Sequence, residues 1–351
     1  ARIYFEIPNS IIGEFSKLKT LTGAHFQTFR KNFKANLEKC FIVPAWTFDN
    51  VKGQFPIGFK IWDTGKKEEF TEIQADVFDV DGNFICKHGF YSNVNSEYFS
   101  KWVNSFKLKT GFYLGWLARV TLNDFQSNST INILNNKDQL ALVRGIEIYD
   151  GNLIESCICL AVRKSIEATW LNDRDQFLYP NLNWKSDKEF QNNCLAFTLF
   201  SNNIQSKFGI NYWIPFTEQE VNASEKFESN FMTDFIKGKI NLDQQPDGLL
   251  FDNEKKGIYD NKSRQFSDEA IAVFDAGREL WKYYHSHKGV NVNASMYDIR
   301  EYFQGRNDKG RMNSRSEDKT YTKLIGILRE KLNLLKDIIT PKIYEYGFLK
   351  E

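Results

Sequence analysis

Cysteine and histidine are scarce in this chain, with five and four residues respectively. The cysteines are odd in number and sit inside apolar or strand-like runs. Cys157-Ile158-Cys159 lacks the two-residue spacing of a zinc-binding pair, and His25, His88, His285 and His287 do not cluster with cysteines. A zinc module is therefore excluded, and buried thiols in a reducing compartment are expected. His285-Ser286-His287 closes a helix and reads as its cap rather than as a metal site. No apolar run is long enough to cross a membrane, and no signal peptide is present. The expected setting is cytoplasmic, with no membrane partner. Charge of one sign is also missing: 46 Lys and Arg stand against 45 Asp and Glu, a net +1. Nucleic-acid binding would then rest on a local basic face rather than on a polycationic chain.

At 351 residues the chain has room for two or three domains. Its 42% hydrophobic and 26% charged content is that of an ordinary globular protein. Aromatic content is 15%, with 31 Phe. The stretch Pro44 to Trp62 gathers Trp46, Phe48, Phe55, Phe59 and Trp62 around the turn Asp49-Asn50-Val51-Lys52-Gly53. Cys40-Phe41-Ile42-Val43 before it reads as a buried strand, and Ile57, Phe59 and Ile61 after it alternate at strand period. Such a turn offers a flat ring beside a glycine and a lysine, which suits stacking on a base. The competing reading is that these rings fill a core.

Taken in order, residues 1 to 7 end a helix or strand, and Ile11 to Phe15 form a strand. Residues 26 to 39 have helical spacing. Asp81-Gly82 marks a hairpin. Residues 96 to 106 read as a helix capped by Ser96, and 111 to 122 and 129 to 134 as strands. The polar loop 123 to 128 between them has the amides to reach a DNA groove. Residues 152 to 171 form a long apolar helix. Asp173-Arg174-Asp175 follows, in which Arg174 is a candidate phosphate contact beside a plain ion-pair reading. Residues 194 to 200 read as a strand, and Thr217-x-x-Glu220 as a capping box. Residues 241 to 265 read as a linker, and Asp247 with Glu254-Lys255-Lys256 lies there rather than on the paired strands that a nuclease site needs. From Phe266 the chain is helical. Ser267 caps a helix with Ile271, Phe274, Leu280 and Trp281 on its core face. A second helix covers 296 to 303, and a third runs from Tyr321 until Pro341 stops it. The loop Gly305 to Arg315 carries Arg306, Lys309, Arg311 and Arg315, the best local cluster for phosphate.

Several long phrases resemble the later part of adenine-specific (N6) DNA methyltransferases of bacterial restriction-modification systems. They are F-S-K-L-K-T-L (15 to 21), F-R-K-N-F (29 to 33) and F-D-N-V-K-G-Q-F-P-I-G-F-K-I-W-D (48 to 63). The resemblance continues through L-N-D-R-D-Q-F-L-Y-P (171 to 180), N-Y-W-I-P-F-T-E (211 to 218), F-D-A-G-R-E-L-W-K-Y-Y-H (274 to 285) and Y-D-I-R-E-Y-F-Q-G-R (297 to 306). It implies an α/β fold. Residues 1–68 would close a methyltransferase-type, Rossmann-like sheet, 69–240 would form a mixed α/β target-recognition region, 241–265 a linker and 266–351 a helical domain. It implies that Phe48, with Phe55 as second choice, packs on an extruded adenine, and that Lys52 and Gly53 shape the turn.

The family's Asp/Asn-Pro-Pro-Tyr/Phe tetrapeptide does not occur here, nor does its glycine-rich turn for S-adenosylmethionine. The chain starts at Ala1 without methionine. The expectation is therefore the C-terminal part of a longer methyltransferase, with catalysis and S-adenosylmethionine binding supplied elsewhere. Double-stranded DNA, and other restriction-modification subunits, would be the partners. A non-catalytic DNA-binding specificity module and a structural or interaction protein are the alternatives.

Overall fold

Alternation along Pro56–Asp63 decides the first half of the molecule. Gly58, Lys60 and Trp62 are buried, and Ile57, Phe59 and Ile61 face the other way, partly open. The computed structural model describes residues 2–93, 95–135, 144–240 and 263–350. A short helix α1 (Arg2–Glu6) leads into β1 (Ile11–Lys17), α2 (Lys19–Thr22), α3 (Gln27–Asn32), β2 (Asn36–Pro44), β3 (Pro56–Asp63), β4 (Glu72–Phe78) and β5 (Phe84–Tyr91). These strands form one five-stranded sheet in the order β1-β3-β2-β4-β5. β3 is antiparallel to both β1 and β2, so those two run parallel to each other. β4 joins β2 in parallel, and β5 returns antiparallel through the Asp81-Gly82 turn, where Gly82 has φ +82°. The closed face packs Leu18, Leu21, Ile42, Trp62, Ala75, Val77 and Phe90 into one core.

Trp170 and Leu171 pack against the first core, while among the described residues a second core runs from Phe99 to Leu349. It contains α4 (Phe99–Ser105) and the three-stranded sheet β7-β6-β8, made of β6 (Tyr113–Ala118), β7 (Asn132–Leu134) and β8 (Gly145–Tyr149). Around these pack α5 (Leu153–Ser165), α6 (Lys188–Ser201), α7 (Phe231–Ile236), α8 (Asp268–His285), α9 (Met296–Gln304) and α10 (Lys319–Glu345). The cores thus divide between residues 91 and 98, later than position 68, because β4 and β5 complete the first sheet. Residues 69–240 and 266–351 do not separate either, since α6 and α8 lie in the same core. The fold is mixed α/β, and among the described residues no helix is long and apolar enough to cross a membrane.

Several local expectations change. The helix expected over 26 to 39 stops at Asn32, because Asn36 and Leu37 are taken into pairing with Asp63 and Trp62. The helix expected to reach 171 ends at Ser165, where Ile166 turns extended. Cys194–Phe200 is helix rather than strand: Asp187 caps α6 by accepting from the Phe190 N–H, and a fully buried apolar run carries no usable period. Pro341 lies inside α10 instead of stopping it. The 111 to 122 strand shortens to β6, since Arg119 adopts φ +58°. Ser96 caps nothing, as α4 begins at Phe99. Ile271 faces solvent. The Thr217–Glu220 box forms with reciprocal hydrogen bonds but closes a turn. The cap at Ser267 holds as expected, and Ser295 caps α9. The Asp247, Glu254, Lys255 and Lys256 cluster and residues 241–262 of the expected 241–265 linker lie outside the described residues.

Two helical glycines give opposite predictions. A Cβ at Gly277 in α8 would lie 2.1 Å from the Phe200 ring of α6, whereas one at Gly326 in α10 meets nothing within 4 Å. Gly277→Ala should lower stability by roughly 1–3 kcal/mol despite better helix propensity. Gly326→Ala should raise it by about 0.5–1 kcal/mol. Urea unfolding of the two variants checks the pair, and equal signs would contradict this packing.

Candidate nucleic-acid interface

Open α/β sheets bind ligands at the carboxyl ends of their parallel strands, because helix and loop termini converge there. In the first sheet that end is where β1 reaches Lys17 and β2 reaches Pro44, and it is where the aromatic turn sits. After Pro44 the chain makes a 3-10 turn over Ala45–Thr47, and Phe48 returns to extended backbone. The Ala45 N–H donates to Phe55 O at 2.9 Å and closes the loop at its base. Asn50 takes the left-handed conformation, φ +63°, which asparagine tolerates.

Phe48 is half-buried, and its ring meets Phe15 of β1 edge-to-face at 5.5 Å between centroids. Phe15 is 54% exposed. From it a row of rings crosses the open sheet face: Phe59 at 4.7 Å, Phe41 at 5.3 Å from Phe59, and Phe78 at 6.0 Å from Phe41. Phe55 lies over Gly53, so close that a Cβ there would be 1.9 Å from the ring. On Phe55 the Lys17 ammonium sits 4.6 Å from the centroid, within cation–π range. Lys52 is exposed beside them. Trp46, 45% exposed, is held edge-to-face at 5.8 Å by Trp170 of the second unit. The turn therefore presents flat, partly open rings beside cations, which is stacking and phosphate-binding chemistry. Beneath it the sheet is inert. Burial pushes the Cys40 thiol up to about 12, against the opposing pull of Lys60. Lys60 itself is enclosed by Ser16, Thr20 and Glu14.

Polar contacts also tie the two cores together. Thr22 Oγ1 donates to Arg174 O at 2.9 Å, and the Tyr98 hydroxyl donates to Thr22 O at 3.2 Å while accepting from Arg30. His88 Nε2 lies 3.0 Å from Asp175 Oδ1. Burial raises the Asp175 carboxyl, and the hydrogen bond to His88 opposes that.

The cations singled out in the sequence divide sharply. Arg174 is 4% exposed. Its Nη1 donates to Gln126 Oε1 at 2.9 Å and lies 3.4 Å from Asp124 Oδ2. Its Nε is 2.9 Å from Asp173 Oδ2, an ion pair without hydrogen-bond alignment. Arg174 is thus largely an interior tie, with Nη1 and Nε engaged by Gln126, Asp124 and Asp173. Arg306 is engaged as well: it forks onto Glu301 at 2.8 and 3.0 Å and donates to the Tyr297 hydroxyl and to Gly310 O. Those contacts, above all to Glu301, push its guanidinium upward. Lys309, Arg311 and Arg315 remain exposed, without an ion pair among the described residues. Phe15, Lys17 and Trp170 were not read as site residues. The signal for the first two was in the strand itself, since Gly13, Phe15 and Lys17 share the face of Phe59 and Ile57. Trp170 had none, because its contact spans more than a hundred residues.

Among the described residues no group of three or more His, Cys, Asp or Glu is placed to hold a metal. Comparison with known proteins adds no relative: no family model matches the chain, and neither a curated protein nor a solved structure shows significant similarity.

Removing Arg174 leaves Asp173 and Asp124 without their cation inside the protein. Arg174→Gln should therefore cost roughly 3–5 kcal/mol in urea unfolding. Any loss of DNA affinity should vanish once it is expressed per folded molecule. A variant of unchanged stability that fails to bind DNA would instead make Arg174 a phosphate contact.

Proposed function

We propose that this chain is the C-terminal, DNA-binding part of a site-specific adenine-N6 DNA methyltransferase of a restriction-modification system. One observation carries the reading. Phe48, in the phrase that resembles the family's base-stacking turn, lies at the carboxyl ends of β1 and β2 with part of its ring open. The topology supports it in part. An antiparallel strand, β3, lies beside the parallel strands β1 and β2, although inside the sheet rather than at the closing edge where the resemblance put it. β1 also forms the sheet's outer edge with Ile11 and Phe15 exposed, and an apolar edge is where further strands add.

In this reading Phe48 stacks on the extruded adenine, Phe55 supports the turn, and Lys17 and Lys52 face the neighbouring phosphates. Stacking offsets part of the cost of unpairing the base. S-adenosylmethionine would be the cofactor of the complete enzyme, but the turn that opens α5 does not fit it. The strand-to-helix turn Asp150-Gly151-Asn152 has a single glycine. The Asp150 carboxylate closes it by accepting from the Phe112 and Gly151 N–H groups. Cofactor binding and the transfer itself therefore fall to another part of the protein or another subunit, and the chain alone should not methylate DNA.

Fluorescence anisotropy with duplexes carrying an abasic site opposite an adenine tests the stacking role. Phe48→Ala should weaken binding by about tenfold, the value of one base–aromatic stack. Its melting temperature should change little, since the ring is half-open. Phe55→Ala should weaken binding less. Loss of stability in step with loss of binding would make Phe48 a core residue. No salt-dependent binding by the intact chain would overturn the DNA-binding reading altogether.

A further inference from the structure

A second set of cations lies around the segment 119–130. Arg119 is exposed and holds φ +58°, a conformation that costs a long side chain energy and is kept only where its surroundings impose it. Its N–H donates to Arg144 O at 2.6 Å and extends the β6–β8 ladder by one rung. Gly145 allows this approach: a Cβ there would lie 2.4 Å from Leu117 O. Arg119 and Arg144 are thereby set opposite each other, both exposed.

The chain beyond Arg119 is fixed from beneath by Arg163, which is 0% exposed. Its Nε donates to Asn128 Oδ1 at 2.7 Å and its Nη2 to Asp124 O at 2.6 Å, while Nη1 donates to Leu122 O. Asn128 returns a hydrogen bond to Arg163 O at 2.7 Å. Lys164, next along α5, reaches Ser129 O at 3.2 Å. Burial, and then Arg163, lowers the Lys164 ammonium to about 8. The carboxylate of Asp124 is turned to Arg174, and none of Arg119, Arg144 and Lys164 has an ion pair among the described residues.

This segment is joined to the aromatic turn through residues 170–176. Asp124 bridges Gln176, Gln126 accepts from Arg174, and Trp170 packs on Trp46. We infer that Arg119, Arg144 and Lys164 form a rim that binds the phosphodiester backbone of duplex DNA beside the base held at Phe48. The inference rests on the DNA-binding reading and adds to it the surface that grips the flanking duplex. Arg163 acts as a positioning residue: it shapes the rim by holding backbone carbonyls and does not itself reach solvent.

The test is anisotropy of a labelled duplex with the whole chain between about 50 and about 300 mM KCl, where each phosphate contact contributes a log–log salt slope of about 0.9. Arg119→Gln/Arg144→Gln/Lys164→Gln should reduce the slope by about two to three and weaken binding at least tenfold at the lower salt. Arg119→Gly with Arg144→Gln keeps the positive φ without strain, and it should lose nearly as much with an unchanged melting temperature. Lys309→Gln/Arg311→Gln/Arg315→Gln should keep the wild-type slope. Wild-type affinity and slope in both rim variants, with the wild type itself binding, overturn the rim and leave the Phe48 reading standing. A wild-type chain that shows no salt-dependent binding overturns both.

Discussion

The pairing of β3 on both sides is the constraint on which the rest depends. Every residue from Ile57 to Asp63 is paired with both β1 and β2, with one irregularity on the β2 side between Leu37 and Lys39. That register fixes which side chains share a face. Phe59 lies opposite Phe15 on one side and Phe41 on the other, so three rings meet in the middle of the sheet. Such ring pairs add about 0.5–1.5 kcal/mol each beyond burial. A slip of one residue would turn Phe59 into the core and Lys60 to the open face. The closed core beneath, with Trp62, Ile42 and Leu18, makes such a slip costly.

The same constraint aims the turn. With β1 and β2 ending side by side, the connection from Pro44 to Pro56 has to cross their carboxyl ends, and Phe48 comes to rest against Phe15. Trp170 of the second unit packs on Trp46 at this end, and the segment behind it is held from within. Arg174 and Arg163 are both buried, and both spend their donors on the segment Leu122–Asn128. Replacing backbone carbonyls by water is not open to them inside the core, so losing either arginine strands polar groups. The basic rim is therefore held by one polar network, which meets the aromatic turn through the Trp46–Trp170 contact.

Much of this was legible where the chain is locally consistent. Alternation at Ile57, Phe59 and Ile61, the Asp81-Gly82 turn and the cap at Ser267 each named their structure. Legibility failed where tertiary contacts decide. Leu37 satisfies helical spacing and yet pairs with Trp62. The run Cys194–Phe200 is buried on all sides, so no period distinguishes helix from strand. Pro341 is tolerated inside α10, where Ile339 and Ile343 on either side of it remain buried in the core. The ion pair of Arg174 with Asp173 was legible from their adjacency, but its contact with Asp124 was not, since Asp124 lies fifty residues away, and the Glu301 fork of Arg306 depends on a loop fold. Arg119 and Arg144 carried no motif, and only the backbone at the end of β6 brings them together.

The central claim is that a DNA base touches the turn between β2 and β3. Photo-cross-linking to duplexes with 5-iodouracil at an unpaired position, followed by mass spectrometric mapping of the attached peptide, tests it directly. The account predicts cross-linking to the peptide that contains Phe48, lost when Phe48 is replaced by Ala. Cross-links confined to other peptides, or none under conditions where the duplex is bound, would contradict it.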